Sequence, residues 1–137
     1  MEKPYEYLEH TADAKFRAYG KTLEEAFKNA ALAMFNIITD TGKVAPRIEK
    51  TFEVTGEDRE SMLYDFLEQF VFLVDTEHFL LHEVKELSID GFTLKATLVG
   101  DTLAGHDVHT AIKSMTYNDM FIREEDGRFV IQAVVDL

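Results

Sequence analysis

Two helical stripes constrain this chain more than any other feature of it. Leu23, Phe27, Ala30, Met34 and Ile38 recur at three- and four-residue spacing, and Met62, Leu63, Phe66, Leu67, Phe70, Val71 and Val74 form a second, broader apolar face. That period belongs to helices with one side in a core, so each stripe needs a surface to lie against. Glu60, Asp65, Glu68 and Gln69 supply the wet side of the second helix. Thr22 followed by Glu25 is a capping box that starts the first: the hydroxyl takes the third helical N–H and the carboxylate reaches back to the cap. The first stripe runs out near Asp40 and Gly42, and the second near Asp75.

Strands supply the surface. "AKFRAYG" is a short strand closed by Gly20, and "IEKTFEVTG" alternates Ile48, Lys50, Phe52 and Val54 against Glu49, Thr51 and Glu53, with Lys50 the one charged intruder. Asp90-Gly91 predicts a two-residue hairpin turn, after which Leu94, Ala96 and Leu98 alternate with Thr93, Lys95 and Thr97. "GDTLAGHDVH" reads as an exposed loop; "TAIKSMTY", "MFIRE" and "RFVIQAVVDL" read as strands, the last two joined at Asp126-Gly127. No sequence repeat is visible. The expected fold is α+β, a two-layer domain with two amphipathic helices packed on a mixed sheet of about six strands. At 137 residues the whole chain, 1–137, makes one domain with one sizeable core.

Charge and motifs exclude more than they assign. With 26 acidic against 14 basic side chains the net charge is −12, a field that repels phosphate backbones and anionic lipid, so neither direct nucleic-acid binding nor membrane binding is expected. A basic protein or a divalent cation suits that field. The chain has no cysteine, which removes thiolate zinc sites, disulfides and cysteine nucleophiles. It has no stretch of about 18 apolar residues and no apolar signal-peptide core, so a soluble, cytoplasmic protein is expected. Phosphate-binding, dinucleotide, zinc-protease and serine-elbow motifs are all absent. Ser61, Ser88 and Ser114 fall inside expected helices or strands, where a serine nucleophile has no support.

The remaining polar residues of interest lie near the two chain ends. Asp13, in "EHTADA", and Asp136, in "VVDL", sit at edges of expected strands. Each is either a hard oxygen ligand of the kind calcium, magnesium and manganese prefer, or a turn residue and a solvated tail. The free α-carboxylate of Leu137 lies one residue from Asp136 and adds a further anionic group. His10 is either a backbone hydrogen-bonding residue or a ligand. His106 and His109, with Asp107 between them, form part of a zinc-like pattern that lacks a fourth ligand. His78 and His82 lie beyond the second helix and read as surface residues. Lys113 stands among apolar neighbours, either pointing outward from a half-buried strand or acting beside acidic groups.

"EHTADAKFRAYGKTLEEAFKNAALAMF" resembles the opening signature of the archease family. The resemblance continues through "MLYDFLEQFVFLVDTE", through "IKSMTYNDM", which is similar to the family's V-K-A-V-T-Y-H segment, and to the closing "VVDL". It implies a metal-binding accessory protein, not itself an enzyme, that promotes guanylylation of the GTP-dependent tRNA-splicing RNA ligase. By that resemblance Asp13, Asp136 and Leu137 would bind a divalent cation, often calcium, and Lys113 would be a functional residue. It also implies a second role, as a chaperone-like modulator of a tRNA methyltransferase. A free-standing metal-dependent phosphohydrolase is a third class, which the missing motifs disfavour. The chain departs from the pattern at Asn118 and Asp119, where many members carry a His.

Overall fold

The computed structural model describes residues 3–9 and 13–137. In chain order the elements are β1 (Tyr5–Leu8), β2 (Ala14–Gly20), α1 (Leu23–Ile38), β3 (Ile48–Thr55), α2 (Arg59–Glu77), β4 (Phe79–Asp90), β5 (Thr93–Thr102), β6 (Ser114–Glu125) and β7 (Arg128–Asp136). The α+β class and the two helices are as expected. The strands divide into a four-stranded sheet of order β1-β2-β7-β6 and a three-stranded sheet of order β3-β5-β4. Every pairing is antiparallel, and β1 is a strand that the sequence pattern did not announce.

Each helix follows its strand through the same join. Thr22 caps α1, its hydroxyl accepting the Glu25 N–H at 3.1 Å; Asp58 caps α2, its carboxylate accepting the Ser61 N–H at 2.7 Å. The residue before each cap donates to the same side chain three positions into the helix: Lys21 N–H to Glu25 at 2.9 Å, and Glu57 N–H to Ser61 at 2.8 Å. The Glu25 carboxylate thus reaches one residue further back than the capping-box pattern requires. Two residues before each cap stands a glycine against the helix. A Cβ on Gly20 would lie 2.3 Å from the Ala26 nitrogen, and one on Gly56 would lie 2.5 Å from the Met62 nitrogen.

The equivalence extends to topology. β2, α1, β6 and β7 form a strand–helix–strand–strand unit with its last strand in the middle, and β3, α2, β4 and β5 form another, placed in sequence between α1 and β6. The repeat absent from the sequence is therefore present in the chain path. Neither unit closes a core alone, because each helix touches strands of both sheets: α1 meets β2, β7 and β4, and α2 meets β6, β3 and β5. Phe27, Phe35, Phe52, Phe66 and Phe70 join across this seam, with the Phe66 and Phe70 rings edge-to-face at 5.1 Å. Such ring pairs add to the burial that dominates folding.

Several boundaries differ from the sequence reading. α2 continues to Glu77 and ends on His78 in the left-handed conformation, φ 54°. The first hairpin loop is Gly91-Phe92 rather than Asp90-Gly91, since Asp90 pairs with Thr93 and Gly91 takes the positive φ. At the second hairpin Asp126 and Gly127 do form the loop, both at positive φ, as the twist of a two-residue connection demands. Gly100, Asp101 and Thr102, expected in an exposed loop, belong to β5, and Asp101 is buried. "TAIKSMTY" and "MFIRE" contribute to a single strand that starts at Ser114.

The glycine joins generate a test. Gly20→Ala and Gly56→Ala each push a Cβ into helix backbone, an overpacking that costs about 1–3 kcal/mol. A fall in Tm of roughly 3–12 °C is expected for each in a circular-dichroism melt, given the usual scaling for a domain of this size. An unchanged Tm in both variants would contradict the shared join.

Candidate functional site

The register of one strand gathers the residues flagged at the chain ends. Ala14 pairs with Val135 across β2 and β7, so Asp13 and Asp136, one residue further along each strand, continue opposite one another. On the other side of β7, Ser114 pairs with Asp136, and the Lys113 N–H donates to the Asp136 carbonyl at 2.8 Å. Lys113 therefore lies alongside Leu137. Because β7 is the middle strand, Asp13, Lys113, Asp136 and Leu137 all meet at one end of the four-stranded sheet. Asp13 is half-buried and the other three are exposed. Asp13 also lines a groove of about 850 Å³ with Tyr7, Glu9, Asn36 and Ile37. His10 and Thr11 of the opening motif lie outside the described residues.

Residues 103–113 form a strap that delivers Lys113 to this end. The His109 N–H donates to the Ile38 carbonyl at 2.6 Å, satisfying the C-terminus of α1, and the Thr39 hydroxyl donates to the Asp107 carbonyl at 2.6 Å. At its start the Leu103 N–H donates to the His78 carbonyl at 2.8 Å. Asp101 anchors the same segment: its carboxylate accepts the Thr102 N–H at 2.8 Å and lies 3.2 Å from His106 Nε2 and 3.7 Å from Arg47 Nε. The Thr102 N–H first, and then His106, hold the Asp101 carboxyl below the ordinary carboxylate value. His106 and His109 are thus used separately, the first by its ring and the second by its backbone. Among the described residues no group of three or more His, Asp or Glu is placed to hold a metal. His82, expected at the surface, is half-buried and its Nδ1 lies 2.6 Å from the Val44 carbonyl.

The departure at Asn118 and Asp119 falls on a bulge. β6 pairs with β7 at Thr116↔Val134 and resumes at Phe121↔Gln132, leaving residues 117–120 as extra chain. Asp119 takes φ 57°, accepts Gln132 Nε2 on its carbonyl at 2.8 Å, and reaches Lys15 on β2 with its carboxylate at 3.1 Å. The bulge therefore ties β6 to β2 over the top of β7, where Val134 is fully buried. Sequence reading missed Asp119 as a tie and Asp101 as an anchor. The positive charge two residues from Asp13 was the available signal for the former.

The donor chemistry at the sheet end fits a hard divalent cation. It offers the side-chain carboxylates of Asp13 and Asp136 on adjacent strands, both oxygen donors. Carboxylates that face each other across an antiparallel pair repel, so a shared cation is a favourable addition.

Known proteins share this sequence pattern and this fold. The family model described as "Archease protein family (MTH1598/TM1083)" matches residues 5–137. "Protein archease" of Methanothermobacter thermautotrophicus is 42% identical over 98% of this chain and 99% of its own length, and that of Sulfolobus acidocaldarius is 37% identical over 97% and 98%. The solution structure of Methanobacterium thermoautotrophicum protein 1598 superposes with a TM-score of 0.84 at 40% identity, covering 98% of this chain and 99% of that one. A Thermotoga maritima crystal structure described as "an archease, possible chaperone" has a TM-score of 0.69 at 20% identity, covering 100% of this chain and 98% of that one, and shares the fold.

The Asp101 anchor predicts a pH dependence of stability. Its folded pKa is depressed below the ordinary 3.8, so its contribution is complete above that value and is lost as pH falls through the folded one. Urea denaturation should find Asp101→Asn less stable than wild type near neutral pH, with the gap narrowing as pH falls below 3.8. A gap that stays constant over the whole range would contradict the anchor.

Proposed function

The chain belongs to the archease family, and from that premise we propose that it is a metal-binding accessory protein that activates a GTP-dependent tRNA-splicing RNA ligase by promoting the ligase's guanylylation. The observation that carries this reading is the register that sets Asp13 opposite Asp136, with Lys113 and Leu137 beside them. Asp13, Asp136 and the Leu137 carboxylate would hold the cation, calcium, magnesium or manganese by the character of the donors. Such an ion supplies neutralisation of charge developing on phosphate oxygens when bound. The protein's own residues do the rest. The paired carboxylates present an anionic end to a basic, RNA-binding partner, and Lys113 adds a positive group at the rim that can meet a phosphate oxygen. The nucleophile and the nucleotide pocket belong to the ligase, consistent with the absence of their motifs here.

An activator of this kind acts where tRNA is spliced, in the cytoplasm. Among the described residues no helix is long and apolar enough to cross a membrane. A second reading, a chaperone-like modulator of a tRNA methyltransferase, is favoured by the description of the Thermotoga relative as a possible chaperone. It differs in needing neither Asp13 nor Asp136. A free-standing metal-dependent phosphohydrolase would release phosphate with no partner present.

The test is guanylylation of the ligase with labelled GTP and metal, with and without this protein. Wild type should raise the rate at least tenfold. Asp13→Ala and deletion of Leu137 should remove that stimulation while melting within about 3 °C of wild type, as surface changes at a strand end do. Full stimulation by both variants would overturn the assignment of the chain ends. Suppressed aggregation of the methyltransferase, unchanged by Asp13→Ala, would favour the second reading.

A further inference from the structure

The solvent face of α2 carries charge of one sign. Past Arg59 the helix has no basic residue, while Glu60, Asp65, Glu68, Asp75 and Glu77 are spread along it. Glu77 pairs with Lys50 and Glu68 accepts the Met115 N–H at 2.9 Å. Among the described residues Glu60, Asp65 and Asp75 have no basic partner. Some acids elsewhere do have a lysine: Lys85 sits 3.1 Å from Glu49, and Lys15 the same distance from Asp119.

Exposed rings stand among these unmatched carboxylates. Phe72 is 54% exposed and Tyr117 53%. Tyr117, on the β6 bulge, lies flat against Tyr64 of α2, with ring centroids 4.3 Å apart and planes 16° apart. Tyr64 is fixed from below by its hydroxyl, which donates to the Met115 carbonyl at 3.2 Å. Burial, and then the negative charges of Asp65, Asp58 and Glu57, push the Tyr117 hydroxyl up, so the stack sits in a field of carboxylates. Tyr64, Glu68 and Phe72 follow one another at four-residue spacing, and therefore share one side of the helix.

We propose that this face docks an arginine-bearing basic segment of the partner protein, with a guanidinium laid on the open face of Tyr117 and an apolar side chain against Phe72. Charge complementarity selects that occupant. An anionic or neutral segment would leave Asp65 and Asp75 facing like charge or buried without a partner. Arginine suits the platform better than lysine because its flat guanidinium both stacks on an aromatic ring and makes paired hydrogen bonds to a carboxylate. Tyrosine and arginine are also among the residues that dominate interface hot spots. The location is consistent with this use. Tyr117 is three residues along β6 from Ser114, the residue that pairs with Asp136. A segment seated here would hold the acidic end of the sheet against its target.

This inference rests on the accessory-activator reading, because the partner used to test it is the ligase. Affinity of the full chain for the ligase is measured by titration calorimetry, and guanylylation is followed at rising protein concentration. Tyr117→Ala, Phe72→Ala and Asp65→Arg should each weaken Kd at least tenfold, with the maximal guanylylation rate recovered at saturation. Asp13→Ala should bind as wild type does and fail to stimulate. Asp65, Phe72 and Tyr117 are all exposed, so the melting curves of the variants stay close to wild type. Unchanged Kd in all three variants, beside a wild type that binds and stimulates, would overturn the docking face alone. A wild type that neither binds nor stimulates would overturn the activator reading and this inference with it. A wild-type dimer in solution that Tyr117→Ala converts to monomer would assign the face to a second copy of the chain, and would overturn it as well.

Discussion

The backbone pairing of β7 on both its edges is the constraint on which the rest of this structure depends. Six consecutive residues, Val130 to Val135, are buried, a continuous run that requires cover on both faces of the strand. On one face the cover is α1 and the core that includes Ile131, Ala133 and Val135. On the other it comes from the bulge of β6, drawn across by Asp119 to Lys15. With both faces and both edges engaged, β7 has no freedom to slip. A shift of one residue would turn every side chain to the opposite face. Its register therefore places Asp136 between Asp13 and Ser114 as securely as it places Val134 in the interior.

Much of this was legible in the residues, and the reasons for the failures are physical. The helical stripes, the caps at Thr22 and the alternation of Ile48 to Val54 are local patterns, and local patterns fixed α1, α2 and β3. Division into two sheets is a matter of which strands pair, and alternation is silent on pairing. The buried strand β7 reads "FVIQAVVD" with Gln132 inside; that residue is tolerated because Arg17 and the Asp119 carbonyl satisfy its amide. The bulge in β6 was invisible because "TYND" carries no glycine at its turn; Asp119 supplies the positive φ that glycine usually provides. At the site, the pattern alone left Asp13 and Asp136 as either oxygen ligands or a turn and a tail, and Lys113 as either an alternating strand residue or a functional one; resemblance to the family selected Asp13, Asp136, Leu137 and Lys113. Antiparallel register is what joins them, and it becomes visible only once the strand order is known.

Charge is distributed with the same logic. Two lysines of the three-stranded sheet pair with carboxylates, Lys85 with Glu49 and Lys50 with Glu77 of α2, and ion pairs this exposed contribute little to stability. Along α2, Glu60, Asp65 and Asp75 have no basic partner among the described residues, within a chain of net charge −12. A protein free of catalytic motifs can contribute to a reaction in this way, by presenting fixed negative groups where another enzyme needs them. The strap of residues 103–113 serves the same end. Asp101, Thr39 and the Ile38 carbonyl hold it to the body of the domain, and Lys113 is where it rejoins the sheet.

The most direct measurement is the paramagnetic broadening of assigned backbone amide signals as manganese is titrated into the protein alone. A cation shared by the two chain ends predicts early loss of the amides at residues 13–15, 113–115 and 134–137, with the Phe92 hairpin unaffected and the same pattern displaced by excess calcium. Broadening centred on Asp65 and Asp75 of α2 instead, or no selective broadening at any ratio, would contradict a metal site built by β7 at the end of its sheet.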